Sequence, residues 1–271
     1  MIDRIGVCSW SLRPESPADL VAKVRATGLE NVQLALGPVL SGQWSKDELR
    51  TACAKAKLTL VSGMMAMQGE DYASLDSIKA TGGVRPDKHW KQNLETARAA
   101  AALAHELELP LVTFHAGFLP ESRSDPERTK MVERLRILAD VFHEQKLELG
   151  LETGQESADT LVEVLGRLER PNVGVNFDPA NMILYGKGEP VAALKRLGRD
   201  VLQAHVKDAR ASHKRGRWGT EVVVGTGEVD WKAFLAHVRA LPQTVDLLIE
   251  REAGDQRIDE IRKARELLER T

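Results

Sequence analysis

The sequence predicts an α/β protein, a single (β/α)8 TIM barrel over residues 1–271, and three observations carry that expectation. Short apolar runs alternate with helical patterns eight times, and such alternation requires a parallel sheet in which each helix is the crossover between neighbouring strands. The length of 271 residues lies near the roughly 250 of one such barrel. No GxGxxG follows the first apolar run, where a dinucleotide-binding open sheet, the rival architecture, usually carries it.

Residues Ile5 to Cys8 form the first strand of this reading. Ser16-Pro17 then supplies an N-cap and a proline at the first helical position, followed by a stripe of Leu20, Val21 and Val24. Val32 to Leu36 and Leu58 to Val61 are strands two and three, with a helix through Lys46 to Ala56 between them. The long stretch from Gly63 to Asp87, rich in Met, Gly and Ser, is an extended βα loop with some short helix of its own, the kind that covers an active site. A helix from about Lys88 to Glu108 presents Leu94, Ala97 and Ala101 on one face. Leu111 to Phe114 is strand four, ending in His115. A helix starting near Asp125-Pro126 aligns Met131, Leu135, Leu138 and Phe142. Helices over Ala158 to Leu168 and Pro190 to Leu197 flank strand six; another from Trp231 to Ala240 precedes strand eight, and a last one carries Ile258, Ile261 and Leu268.

The last four strands share an ending. Leu147 to Leu151 runs into Glu152, Val173 to Phe177 into Asp178-Pro179, Val201 to Ala204 into His205, and Val245 to Ile249 into Glu250. Pro179 cannot donate the next ladder hydrogen bond, so Asp178 stands at a strand end. A parallel barrel places all such ends on one rim, where Glu152, Asp178, His205 and Glu250 converge. Three carboxylates and an imidazole suit one divalent ion, Mn²⁺, Mg²⁺, Co²⁺ or Zn²⁺, and the lack of thiolates disfavours a structural zinc. Each residue alone also has an ordinary structural reading as a turn residue, an ion-pair partner or a satisfied polar group. Four such roles coinciding on one rim is the harder supposition.

Composition narrows the partners. With 38 basic and 40 acidic residues the net charge is −2, which disfavours nucleic acid and anionic membranes as partners. Cys8 and Cys53 have no metal-site or disulfide spacing, the chain opens without a basic-then-apolar leader, and no apolar run reaches the 18 or so residues that cross a bilayer. A cytoplasmic setting is expected.

The segments Leu151 to Glu156, Asn176 to Asn181, His205 to Asp208 and Ile249 to Arg251 resemble the motifs of the xylose-isomerase-like TIM-barrel superfamily, and within it the sugar phosphate isomerase/epimerase group with its ketose 3-epimerases and inosose dehydratases. The resemblance covers nearly the whole chain and is strongest on strands five to eight. It implies that Glu152, Asp178, His205 and Glu250 hold one divalent metal. Glu152 and Glu250 are then also the acid and base that move a proton on opposite faces of a sugar carbon, through a metal-stabilised enediolate. The implied substrate is a small carbohydrate, free, phosphorylated or keto-sugar, and a homodimer or homotetramer is allowed.

Further candidate substrate contacts are His115, Glu156, Asn181, Lys207, Arg210 and Trp10. His115 is otherwise a structural rim histidine, Glu156 a carboxylate favoured at a helix N-terminus, and Trp10 a packing residue under a loop. Met64, Met65 and Met67 are taken as loop packing. Lys207 and Arg210 open a basic stretch with Lys214, Arg215 and Arg217, either a solvated loop or a phosphate or carboxylate site. Asn181 stands three residues after Asp178, where the endonuclease branch and several epimerases carry a histidine, so a second metal is not expected. The rival functions are a keto-inositol-type dehydratase, an apurinic-endonuclease-like phosphodiesterase, and a binding protein with a degenerate site.

Overall fold

The computed structural model describes residues 2–214 and 216–271. In chain order the elements are β1 (Ile2–Cys8), α1 (Pro17–Thr27), β2 (Asn31–Ala35), α2 (Gly37–Leu40), α3 (Lys46–Ala56), β3 (Thr59–Met64), α4 (Leu75–Thr81), α5 (Asp87–Glu106), β4 (Leu111–Phe114) and α6 (Pro126–Glu144). They continue with β5 (Glu148–Glu152), α7 (Ala158–Leu168), β6 (Val173–Phe177), α8 (Pro179–Leu184), α9 (Pro190–Leu197), β7 (Val201–Val206), β8 (Asp208–Arg210), β9 (Thr220–Val222), α10 (Trp231–Ala240), β10 (Val245–Ile249) and α11 (Arg257–Arg270).

Eight of the strands close into a parallel barrel in the order β1-β10-β7-β6-β5-β4-β3-β2, the expected (β/α)8 architecture. Local sequence explains many of the helix starts. Ser16 accepts from the Asp19 amide ahead of Pro17, Asp125 from Glu127 ahead of Pro126, and Ser157 from Thr160. The apolar stripes face the sheet as their spacing requires: Met131, Leu135, Leu138 and Phe142 of α6 are all buried, and Phe177 of β6 meets Phe234 of α10 with ring centroids 5.8 Å apart. Among the described residues no helix is long and apolar enough to cross a membrane.

The structure departs from expectation after the strands. Strand seven extends two residues further than anticipated, so His205 lies within β7 rather than beyond it. The short helices α2 and α8 were not foreseen; both begin beside a proline, Pro38 and Pro179, in stretches too brief to show periodicity. The basic loop after β7 holds an antiparallel hairpin, β8 with β9. That hairpin is wound around one buried carboxylate. Asp208 accepts from the amides of Ala209, Gly225, Gly227 and Val229 and from the Trp231 indole, at 2.8–3.2 Å. A Cβ on Gly227 would lie 2.1 Å from Asp208 Oδ1, so the Gly-Thr-Gly stretch is a close-approach loop.

Asp208→Ala is expected to unseat this hairpin. Charge-assisted hydrogen bonds contribute about 1.5–3 kcal/mol each and are not additive, so a loss of several kcal/mol in a denaturant titration is the expected result; a loss under 1 kcal/mol would remove Asp208 from this organising role.

Candidate metal centre

Side-chain alternation along the strands sets the site. The barrel interior receives Gln33 from β2, Ser62 from β3, Thr113 from β4, Asn176 from β6 and Gln203 from β7, all 0–1 % exposed. They form one hydrogen-bonded floor. Gln33 Nε2 donates to Thr113 Oγ1 (2.8 Å), Gln203 Nε2 to Asn176 Oδ1 (3.0 Å), and Ser62 Oγ to Gln203 Oε1 (2.6 Å). Cys8, a core residue as expected, donates its thiol to Gln33 Oε1, and burial pushes its ionisation up to about 12.

On this floor Glu152, Asp178, His205 and Glu250 come together, each at most 4 % exposed, offering ligand atoms that all lie within 4.8 Å of one another. His205 Nδ1 is 3.2 Å from Glu250 Oε2, 3.5 Å from Glu152 Oε1 and 3.7 Å from Asp178 Oδ2. Two atoms in the middle are buried without a hydrogen-bond partner, His205 Nδ1 and Asp178 Oδ2. Buried polar atoms are rarely left unpaired, and three carboxylates with an imidazole are a hard oxygen-plus-nitrogen donor set. The residues therefore fit one divalent ion.

Each ligand is held from behind. Asp178 spends Oδ1 on the Asn181 amide as N-cap of α8, which leaves Oδ2 to face the centre. Its backbone N–H donates to Thr153 Oγ1 and its carbonyl accepts from that hydroxyl, lashing the ends of β5 and β6 together. Glu152 accepts from Asn181 Nδ2 (2.9 Å) and Asn176 Nδ2 (3.4 Å). Gly154 beside it, at φ 130°, allows a close approach, since a Cβ there would sit 2.3 Å from Asn181 Cβ. Glu250 accepts from the Trp10 indole (2.6 Å) and from Lys207 Nζ (3.1 Å). His205 places Nε2 2.8 Å from Gln33 Oε1. The Gln33 amide is oriented by its donation to Thr113, so Oε1 accepts and the proton of His205 belongs on Nε2, leaving the Nδ1 lone pair for the centre. Asn176 Nδ2 also lies 3.1 Å from Nε2, and its hydrogen goes to Glu152 Oε2.

Protonation follows from this packing. Burial works to raise the Glu250 carboxyl, but Lys207 and His205 outweigh it and hold it well below the ordinary value. Glu152 is likewise held down against burial by His115 and His205. Asp178, fully buried, is raised by desolvation. His205 is raised well above its usual value, because the surrounding carboxylates overcome the cost of burying its charge.

A cavity of about 540 Å³ opens above this floor. Of the anticipated substrate contacts, Trp10, His115, Asn181 and Lys207 line it, and His115 Nε2 stands 3.6 Å from Glu152 Oε1. Met64 and Met65 line it too, rather than merely packing the loop. Two residues are not brought to it. Arg210 is exposed and turns its guanidinium onto the Thr226 carbonyl at 2.7–3.2 Å, because the β8–β9 hairpin carries it outward. Glu156 is buried outside the cavity wall, and desolvation lifts its carboxyl to about 8. Lys207 lines the cavity with its ammonium already paired, at 3.1 Å from Glu250, 2.6 Å from Glu252 and 3.8 Å from Asp178. Arg215 lies outside the described residues; Lys214 and Arg217 do not line the cavity.

Sequence reasoning missed Glu70, Tyr72, Tyr185, Trp218, Glu221 and Glu252, all on the cavity wall. The first two fall in the long loop after β3 that composition had marked as a cover. Gln33 was missed as well, though a lone amide inside an apolar strand is a visible signal. Gln33→Leu is expected to free the His205 ring and lower metal affinity by about 10- to 100-fold, the usual effect of losing a ligand's hydrogen-bond partner. Titration of the apoprotein with Mn²⁺ or Co²⁺ checks this; unchanged affinity would show that Gln33 does not orient the ligand.

Comparison with known proteins places this geometry. A crystal structure of a xylose isomerase domain protein from Planctomyces limnophilus is 32 % identical, covers 92 % of this chain and 90 % of that one, and superposes with a TM-score of 0.85. The probable 3-DHS dehydratase AsbF of Bacillus anthracis (18 % identity, 98 % and 99 % covered, TM-score 0.75) is similar in fold, as is the 3-keto-D-glucoside 4-epimerase YcjR of E. coli (14 % identity, 99 % of both chains covered, TM-score 0.74). An uncharacterized protein, YihM of Escherichia coli strain K12, is 33 % identical over 82 residues, a stretch that spans 30 % of this chain and a quarter of that protein. The family model for xylose isomerase-like TIM barrels matches residues 21–271, so the chain belongs to that family.

Proposed function

We propose that the protein is a divalent-metal-dependent isomerase or epimerase of a small carbohydrate that works by proton abstraction next to a carbonyl. The observation that carries this is the buried set Glu152, Asp178, His205 and Glu250, with Asp178 Oδ2 and His205 Nδ1 unpartnered, on the floor of a cavity of about 540 Å³. A divalent ion held by these four residues supplies electrostatic stabilisation for the negative charge that develops on the carbonyl and adjacent hydroxyl oxygens as the proton leaves.

The chain supplies the proton carriers. Glu152 and Glu250 come from β5 and from the end of β10, which are separated in the barrel by β6 and β7, so their carboxylates enter the cluster from different strands, Glu250 also lining the cavity. Both are held in the ionised form expected of a base, Glu250 by Lys207 and the Trp10 indole, Glu152 beside His115 and under the Asn181 amide. One carboxylate takes the proton from one face of the carbon, and the other returns one on the opposite face. Epimerisation uses both; aldose–ketose isomerisation needs one. The wall bearing Met64, Met65, Trp10 and Tyr185 gives the cavity an apolar and aromatic side. Similarity to epimerases and a dehydratase supports the proton-abstraction class at the level of fold.

A phosphodiesterase reading is disfavoured by Asn181, whose amide donates to Glu152 and so completes the first centre instead of ligating a second ion. Protein loaded with Mn²⁺ is expected to hold one ion per chain and to leave an abasic-site duplex uncut. Two tightly bound ions, or catalytic nicking, would favour the nuclease.

Glu152→Gln and Glu250→Gln are each expected to keep weak metal binding while losing on the order of 10²-fold or more in rate. Solvent deuterium exchange on a panel of ketoses and keto-inositols checks this, since exchange reports proton abstraction whatever the product. Wild-type rates for either variant would rule out the two-carboxylate scheme. Asp178→Ala should lose metal as well as turnover. Chelation should abolish activity and lower the melting temperature, because an ion at 100 times its Kd stabilises the fold by about 2.7 kcal/mol; full activity after chelation would refute metal dependence.

A further inference from the structure

The walls of the cavity carry information about substrate charge. Lys207 is the one lysine or arginine among the described residues that line it. Its ammonium is committed, at 3.1 Å from Glu250, 2.6 Å from Glu252 and 3.8 Å from Asp178. Two arginines of the neighbouring loops point elsewhere. Arg251 forks between Glu221 (2.6 Å) and Glu260 (2.8 Å), and Arg210 caps the Thr226 carbonyl. Lys187 lies over the Phe118 ring and is not among the residues that line the cavity.

Against this the lining includes Glu70, Glu221, Glu250 and Glu252. A divalent ion and Lys207 together offset the three ligand carboxylates, and Arg251 offsets Glu221. Glu70 and Glu252 come on top of that balance, so the mouth is electronegative even with the metal in place. An incoming phosphate or carboxylate would meet like charge in a concave, partly apolar space, with no guanidinium fork among the described residues that line it. A polyhydroxy molecule meets the opposite. Its hydroxyls donate to carboxylates that are acceptors only, and its C–H faces lie against Trp10, Tyr72, Tyr185 and Trp218, the last two packed edge to face at 4.7 Å.

We infer that the cavity selects an uncharged, unphosphorylated carbohydrate and discriminates against phosphate- and carboxylate-bearing ones, with Glu70 and Glu252 as the charge filter. This rests on the carbohydrate reading above and narrows it. It also replaces the expectation that Lys207 and Arg210 bind a substrate anion.

The test is a set of matched pairs, D-fructose with D-fructose 6-phosphate and D-tagatose with D-tagatose 6-phosphate, added to Mn²⁺-loaded and metal-free protein. Binding is read from tryptophan fluorescence, since Trp10 and Trp218 line the cavity, and proton abstraction from exchange in D₂O. The neutral member of each pair is expected to bind at least about tenfold more tightly than its ester. Glu252→Gln, which releases Lys207 from one partner, and Glu70→Gln should each narrow that ratio at unchanged fold as judged by circular dichroism. A phosphate ester that binds as tightly as its parent and exchanges overturns the inference while leaving the carbohydrate reading intact, as does a ratio that neither variant moves. If no member of any pair binds or exchanges, the carbohydrate reading falls, and this inference falls with it.

Discussion

Three carboxylates buried around one imidazole are the constraint on which the rest of the molecule depends. Glu152, Asp178 and Glu250 are each less than 5 % exposed and converge within 4.8 Å, and like charges so placed repel strongly where water cannot screen them. The structure meets this cost with directed donors. Asn181 and Asn176 serve Glu152, Trp10 and Lys207 serve Glu250, and the α8 amide serves Asp178. Each donor comes from an element whose position the barrel fixes. The raised basicity of His205 reflects the same pressure, since the carboxylates around the ring favour its charged form. Metal binding therefore competes with a proton.

The donors also divide the work between floor and rim. Gln33, Ser62, Thr113, Asn176 and Gln203 sit on paired barrel strands, with register shifts beside Gln33 and Asn176, and moving them would break ladder hydrogen bonds beneath the cluster. The cavity wall is built differently. Glu70 and Tyr72 come from the long loop after β3, Trp218 and Glu221 from the hairpin after β7, and Glu252 from the loop after β10. The candidate metal ligands thus stand at strand ends and much of the cavity wall on loops, the division that lets barrels of this kind serve many substrates.

Much of the fold, and the convergence of Glu152, Asp178, His205 and Glu250, was legible because the signals are local. An apolar run that stops at Glu152 or at Asp178-Pro179 marks a strand end without reference to the rest of the chain, and barrel closure converts four such marks into one site. Arg210 shows where that logic stops. It follows His205 by five residues, but the turn of the backbone into β8 around Asp208 sends it to the Thr226 carbonyl, and the contacts that force the turn come from Gly225 to Trp231. No spacing rule carries that information. Glu156 failed for a related reason, since the direction in which the chain leaves β5 depends on its contacts with α8. Gln33 failed for another: a single amide within Val32 to Leu36 reads as an imperfection in an apolar strand until the barrel closes and places it under His205.

Strand parity accounts for what the basic stretch became. Successive side chains of β7 and its continuation alternate, so Lys207 shares the inward side with His205, whereas Val206 and Asp208 face away from the mouth. The same alternation puts Glu252 on the side of Glu250 and sends Arg251 outward to Glu221 and Glu260. Two adjacent strand ends thus deliver a lysine and two glutamates to one place, and the ammonium is neutralised before any substrate arrives. A lysine that looks like a phosphate ligand in the sequence lies 3.1 Å from Glu250, whose carboxyl its charge helps to hold well below the ordinary value. The geometry that holds Glu250 ionised also pairs the one lysine or arginine among the described residues that line the cavity, so the proposed proton transfer and the inferred preference for an uncharged substrate would have one origin.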